Sequence, residues 1–373
     1  MGYTIRRSTG NSCAVESIGR FIVAKRLSGM MLLIVFLFFC GQIRGQDMHF
    51  AQFHNALFHL NPALTGIFRG DLRFSGNFRN QWRSVPVDYE TYALGMDARF
   101  THKQLKDGFF AGGVVMDYDR SGYSRLTLQN LGVQFSYTQQ LGEGVFLSAG
   151  MHAAVNQRSF DLGGLTFDNQ YNETMGAYDP VLSPDEEFLA ENNRKMFMSY
   201  GTGLNFRYQN SDNQALIDRL ERRTKIDVGL GIFHLNRPDQ SFVEGFGQAL
   251  SMRFVPYVLG TFQVGENMDL IGNVAAFFQG PYRETIGVLG GRLHLNRDPG
   301  SQLAVQLNFG YRFEDGLVPG LEFFYQGLRF GLNYDLNTSD FDVATDGRGG
   351  PEISVGYVVR FVPRLAYKVC PII

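Results

Sequence analysis

The chain has 373 residues with 34 basic and 36 acidic side chains, and this near balance argues against a nucleic-acid binder that relies on a basic surface. An apolar content of 44% excludes a disordered chain, and glycines without a period of three exclude collagen. The basic residues are 28 Arg and only 6 Lys, and 44 Gly and 34 Phe accompany them. The fold has to account for this combination.

The N-terminus has the features of an export signal. Lys25 and Arg26 precede an apolar run of 11 residues, 30–40, which has the length of a signal-peptide core and is too short to cross a bilayer. We interpret residues 1–45 as leader and signal peptide, with the mature chain starting near Gln46.

The cysteines leave one alternative for this leader. Cys40 is compatible with a lipoprotein signal, although such a signal needs a small residue before the cysteine and Phe39 is not small. The three cysteines, Cys13, Cys40 and Cys370, provide neither a metal-ligand cluster nor a disulfide framework.

Residues 46–68 precede the first predicted strand. Phe50, Phe53, Leu57 and Leu60 follow helical spacing. We expect this segment to fold, as a plug or lid, into the periplasmic mouth of the structure that the following strands form. A partly ordered leader packed on the rim is the alternative.

Stretches in which apolar and polar side chains alternate with period two recur between residues 69 and 373. In 91–100, one face carries Tyr92, Leu94, Met96, Ala98 and Phe100, and the other carries Thr91, Ala93, Gly95, Asp97 and Arg99. The polar face is small or Arg, Asn, Gln and Asp, whereas a soluble sandwich favours Lys, Glu and Thr there. Large apolar residues opposite such a face predict an all-β transmembrane antiparallel barrel with lipid outside and a crowded polar lumen.

Fourteen segments alternate in this way, an even number, as bacterial single-chain barrels require. Short turns follow several even strands, which places them in the periplasm. The exception is 210–224, where Asp212 could cap a short helix. The predicted strands are 71–81, 90–101, 109–119, 126–140, 145–158, 197–209, 225–235, 251–264, 268–279, 284–296, 301–312, 317–326, 327–336 and 351–362.

Two groups of charged residues are candidate sites. The first is a polar network in the lumen, which we interpret as internal ion pairing, with a site for a partner segment as the alternative. It comprises Arg73, Asn77, Arg79, Asp97 and Arg99. The second is an acidic loop within 160–196 that we assign to the cell exterior. It comprises Asp179, Asp185, Glu186, Glu187 and Glu191.

We expect no catalytic, cofactor or metal site. No Gly-x-Ser-x-Gly, Walker or dinucleotide motif is present. His49, His54 and His59 recur every five residues and so do not share a helical face. The acidic stretch 335–346 has Asp340 where a calcium loop needs glycine.

Several short motifs follow one another along the chain. The main motif residues are Asn61, Pro62, Arg79, Asn80, Gln81 and Trp82, and further elements are 46–53, 89–92, 97–100, 165–170, 334–337, 349–354 and Cys370-Pro371. Together and in this order they resemble the PorP/SprF family of type IX secretion system outer-membrane proteins, and the resemblance extends over about 46–371.

This resemblance implies a 14-stranded outer-membrane barrel of a Gram-negative bacterium, without enzymatic activity. Its expected role is in type IX secretion or gliding motility, where it helps to export or anchor a large secreted surface protein carrying a family-specific C-terminal domain. Outer-membrane lipid and other secretion components are the further expected partners, and nucleic acid is not. A channel for small or hydrophobic solutes is the second hypothesis, and a surface hydrolase is the third.

Overall fold

Fourteen antiparallel strands close into a barrel in the computed structural model. The structure describes residues 47–81, 89–100, 107–161, 165–182, 193–210, 223–242, 247, 249–298, 300–339 and 347–361. The barrel strands are β1 Leu72–Gln81, β2 Tyr89–Phe100, β3 Gly108–Ser121, β4 Leu126–Gly142, β5 Val145–Ser159, β8 Arg194–Gln209, β9 Lys225–Phe233, β10 Arg253–Gln263, β11 Met268–Gln279, β12 Tyr282–Asn296, β13 Leu303–Arg312, β14 Gly316–Tyr325, β15 Leu328–Asn337 and β16 Arg348–Val359.

The first and last strands close the barrel. β1 pairs with β16 from Leu72 opposite Val359 to Arg79 opposite Glu352. Because every strand then has two neighbours, no strand edge of the barrel is left for lipid to face. The predicted fold class and the count of fourteen strands are confirmed.

Several strand bounds and one hairpin differ from the sequence prediction; β8, for example, begins at Arg194 instead of residue 197. β16 begins at Arg348, three residues earlier than predicted, because Gly349 and Gly350 continue the strand instead of forming a loop. Gly350 has a φ of +145° and lies so close to the Asn80 carbonyl that a Cβ would not fit. A small hairpin, β6 Tyr171–Asn172 and β7 Ala177–Tyr178, lies in the connection between β5 and β8 and was not predicted.

The barrel has two different ends, which we call the turn end and the loop end. β1 begins at the turn end, where residues 143–144, 264–267 and 326–327 form short connections. Gln326 and Gly327 both have positive φ, +48° and +87°, as a two-residue hairpin turn between twisted strands requires. The longest connections, 160–193 and 234–252, lie at the loop end.

The placement of polar and apolar side chains is the reverse of that in a soluble protein. Outward side chains such as Leu94 and Leu289 are 57% and 69% exposed, whereas the inward Asp97 and Glu352 are 1% and 0% exposed. An apolar belt around a polar interior is the surface of a protein that is solvated by lipid. Within the described ranges, no helix is long and apolar enough to span a membrane.

Some sequence predictions lie outside the described residues. These are the leader and signal peptide, all three cysteines, most of the 210–224 segment, and Trp82 of the family motif.

Candidate functional site: the filled lumen

Residues 47–68 lie inside the barrel. Asp47 contacts His234, Arg253 and Gln279 at the loop end. The chain then descends to Gly66, whose N–H donates to Asp97 near the turn end (2.6 Å). The segment therefore extends through the height of the lumen and not only into the mouth at which β1 begins.

Most of this segment is not helical, contrary to its apolar spacing. Helix α1 covers only Leu57–Leu60, and a 3-10 turn follows at Pro62–Leu64. Most of its large apolar side chains are nonetheless buried, as predicted for a packed segment. Phe50, Phe53 and Leu60 of the predicted set are buried and Leu57 is half-buried, while Phe58 and Leu64 are buried as well.

A wall carboxylate replaces helical hydrogen bonding at the start of the segment. The backbone N–H groups of Ala51 and Gln52 donate to the two oxygens of Glu352 on β16, at 2.8 and 2.7 Å. The Gln52 side chain also donates to the Glu352 carbonyl (2.9 Å). Since the wall satisfies these donors, the chain there has no need of an i to i−4 ladder.

Glycines in the wall provide the space that the segment occupies. A Cβ at Gly150 would overlap Pro62 and Ala63, and one at Gly231 would overlap the Leu60 carbonyl. Gly95 lies in the same way against Phe58, and Gly203 against Asn61. These glycines are on β2, β5, β8 and β9, so one side of the wall is shaped to the segment.

Part of the predicted lumen network comes together around Asp97. Arg73 donates through Nε and Nη2 to the two Asp97 oxygens at 2.9 and 2.7 Å, a planar fork that Lys could not make. The Asp97 carboxylate also accepts from Gly66 N–H, while Arg99 Nε donates to the Gly66 carbonyl (2.5 Å). Asp97 and Arg99 thus bond to the N–H and the carbonyl of Gly66, while Arg73 holds Asp97 and donates to the Leu64 carbonyl (3.3 Å).

Arg79 belongs to a separate cluster near the loop end. It pairs with Asp335 (2.7 Å) and donates to the His49 carbonyl (2.6 Å). Arg312 reaches the same Asp335 oxygen at 3.1 Å. Asn77, between the two clusters, is buried and faces the lumen, but its amide nitrogen has no hydrogen-bond partner among the described residues.

The three evenly spaced histidines point to different parts of the wall. His49 contacts Glu284 on β12 (3.3 Å), His54 contacts Glu322 on β14 (2.9 Å), and His59 contacts Asp117 on β3 (2.9 Å). Each therefore links the segment to a separate carboxylate. In the part of the chain that the structure describes, no three His, Cys, Asp or Glu side chains converge as metal ligands.

A serine, a histidine and an aspartate form a chain of hydrogen bonds at the loop end. Ser199 Oγ lies 2.7 Å from His234 Nδ1, and His234 Nε2 lies 2.9 Å from Asp47 Oδ2. The order is that of a nucleophilic triad. The adjoining cavity has about 40 Å³, room for about three water molecules and far below the roughly 300 Å³ of a small ligand pocket. These hydrogen bonds therefore anchor Asp47, and the cavity beside them is too small for an acyl substrate.

The family model described as type IX secretion system membrane protein PorP/SprF matches residues 43–357. The chain belongs to the PorP/SprF family. This confirms the resemblance drawn from the motifs. A search of curated proteins finds no match to this PorP/SprF chain.

Solved structures with a similar fold share little sequence with this PorP/SprF chain. The toluene transporter TodX from Pseudomonas putida is 12% identical, with 82% of this chain and 94% of that chain covered and a TM-score of 0.44. The CymD monoaromatic hydrocarbon channel is 12% identical, with 82% and 93% covered and a TM-score of 0.44. The translocator domain of autotransporter NalP from Neisseria meningitidis is 11% identical, with 83% and 96% covered and a TM-score of 0.31. At these scores the likeness carries no argument about what the chain binds.

Three of the PorP/SprF motif residues, Asn61, Pro62 and Arg79, lie where the segment meets the wall. Asn61 caps the 3-10 turn by accepting from Ala63 N–H (2.8 Å), and its amide nitrogen donates to the Leu204 carbonyl and to the Tyr257 hydroxyl. Pro62 occupies the first position of that turn. Asn80 is buried, and Gln81 is the last residue of β1.

The predicted acidic loop is only partly described. Asp179 is half-buried and accepts from Val181 N–H (3.0 Å) and from the Asn172 side chain (3.2 Å), which stabilises the small hairpin. Asp185, Glu186, Glu187 and Glu191 lie outside the described residues.

Several residues that hold the segment were not among the predicted site residues. Strand alternation places Arg312, Asp335 and Glu352 on the inward faces of their strands, so the sequence does indicate that they face the lumen. The contacts of Glu352 with Ala51 and Gln52 join residues about 300 positions apart in the sequence, and no local pattern indicates them.

Proposed function

We propose that this PorP/SprF chain is an outer-membrane component of the type IX secretion machinery, which helps to export or anchor a large secreted cell-surface protein. The observation that carries the proposal is the family match over residues 43–357, which spans nearly all the described barrel.

The surface of the barrel supports this location. An apolar outward belt suits a bilayer, and short turns face the periplasm in bacterial outer-membrane barrels. The turn end would then be periplasmic. The loop end, with the long connection that contains Asp179, would face the cell exterior.

The filled lumen supports a docking role more than a conduit. The segment 47–68 is largely buried inside the barrel and bonded to the wall from Asp47 to Gly66, so it occupies lumen space that a solute would need. A secreted protein would therefore bind to the ends of the barrel, and the channel hypothesis has no specific observation in its favour.

A complementation experiment tests this function. The gene is deleted in its host and restored as the full chain, and the amount of surface protein carrying the family-specific C-terminal domain is measured outside and inside the cell. We expect at least one such protein to be lost from the surface in the deletion strain and regained with the full chain. An unchanged surface proteome would exclude the proposed role.

A further inference from the structure

Six cationic side chains form a ring inside the barrel at the turn end. Strand alternation directs all six toward the lumen, and each lies within a few residues of the turn end of its strand. They are Arg73 on β1, Arg99 on β2, Arg207 on β8, Lys225 on β9, Arg292 on β12 and Arg329 on β15.

The six side chains are neighbours around a closed circuit. Pairs within electrostatic range of each other are Arg99 with Arg73 and Arg207, Lys225 with Arg207 and Arg292, and Arg329 with Arg292 and Arg73. Like charges repel at such distances. Carboxylates also lie within electrostatic range, Asp97 and Asp71 of Arg99, Asp227 of Lys225, and Glu322 and Asp269 of Arg292, and they offset part of this repulsion. An anion bound in the ring would offset more of it.

Only two of the six cations have a carboxylate of their own. Arg73 pairs with Asp97, and Arg207 pairs with Asp227 through two bonds of 2.8 Å. Among the described residues, no carboxylate lies within ion-pair distance of the other four, which are Arg99, Lys225, Arg292 and Arg329. The Arg329 Nε also lacks a hydrogen-bond partner there.

Two of these four arginines are held on aromatic rings. The Arg99 guanidinium carbon lies 4.7 Å from the ring centre of Phe109, and that of Arg292 lies 4.1 Å from that of Phe324. Stacking fixes a guanidinium while leaving N–H groups at its edge to donate. Lys225 is exposed, and Arg99, Arg292 and Arg329 are half-buried, so the ring is accessible.

We propose that this cationic ring binds an acidic peptide segment of a partner protein that approaches the turn end. The ring already holds the carboxylates of Asp97 and Asp227 in two-bond forks, the geometry that Glu and Asp side chains of a peptide would use. It faces the lumen and not the bilayer, so lipid headgroups on the outer surface of the barrel do not reach it. The proposal is independent of which secreted protein the chain serves.

Binding of a fluorescent glutamate homopeptide to the purified full-length barrel in detergent tests the proposal. We expect saturable binding that weakens steeply with salt and weakens at least about tenfold in the variant Arg99→Gln/Lys225→Gln/Arg292→Gln/Arg329→Gln. The matched control, Arg120→Gln/Arg125→Gln/Arg194→Gln, removes cations at the loop end and should leave binding unchanged. The single variant Lys225→Gln, at an exposed position, covers the case in which the multiple variant does not fold.

The other outcomes overturn the proposal. Absence of peptide binding, or equal loss in both multiple variants, contradicts a site at the turn end. Inorganic tripolyphosphate serves as a second probe of similar charge. If it binds tightly and the peptide does not, the ring is a phosphate site and the peptide assignment is wrong.

Discussion

Asp97 shows how a single carboxylate joins the wall to the segment within it. Its two oxygens accept hydrogen bonds from the guanidinium of Arg73, which is buried on the neighbouring strand, and from the backbone N–H of Gly66. If the carboxylate is removed, Arg73 becomes a buried charge without its partner, and breaking such a pair costs about 3–5 kcal/mol.

We therefore expect Asp97→Ala to lower the stability of the barrel by a few kcal/mol. The measurement is the melting temperature of the folded band in heat-modifiability gel electrophoresis. Asp298→Ala, at an exposed position in a turn, is the matched control and should melt like the unmodified chain. Equal melting of Asp97→Ala and the unmodified chain would refute the structural role of this pair.

At the scale of elements, the strands could be predicted and the segment could not. Alternation in 91–100 and 302–312 indicates both the strand and its inward face, because each side chain has only two directions available. In 47–68, the apolar spacing indicates a helix, but Glu352 and the wall glycines impose turns. The turns therefore result from tertiary contacts, and the local sequence does not indicate them.

The same contrast applies to the candidate site. The inward parity of β1 and β2 places Arg73, Asp97 and Arg99 together. In the structure Asp97 and Arg99 bond to Gly66, and Arg73 pairs with Asp97. Arg79 has the same parity but pairs with Asp335, whose strand lies on the other side of β16. Arg79 and Asp335 come together only because β1 pairs with β16, and the sequence around either residue does not indicate that pairing.

Displacing the segment should open the barrel. We expect deletion of 46–64 to convert a chain with little conductance in planar bilayers into one with a stable open pore. Gly150→Leu should open it partly, because its side chain would occupy the position of Pro62 and Ala63. Gly272→Leu, on the outward face with only Leu289 at 4.0 Å, is the control and should stay closed. Unchanged conductance after the deletion would contradict a plug.

At the scale of the whole molecule, composition reflects architecture. Phe, Tyr and Leu form the outward belt, glycine leaves room for the segment, and the arginines are concentrated in the lumen with their carboxylates. The net charge of −2 conceals this separation of charge from the apolar surface. Such a barrel, with its own N-terminal segment packed inside it, presents two ends for partners to bind.

We propose that this barrel serves a secreted protein rather than a solute. Affinity purification of the tagged chain from outer membranes in mild detergent, followed by mass spectrometry, tests this role. We expect a large secreted protein with the family-specific C-terminal domain to co-purify in near-stoichiometric amount, and to do so from the strain with the intact segment. Recovery of the barrel alone, with a small apolar solute bound in its lumen, would contradict this role.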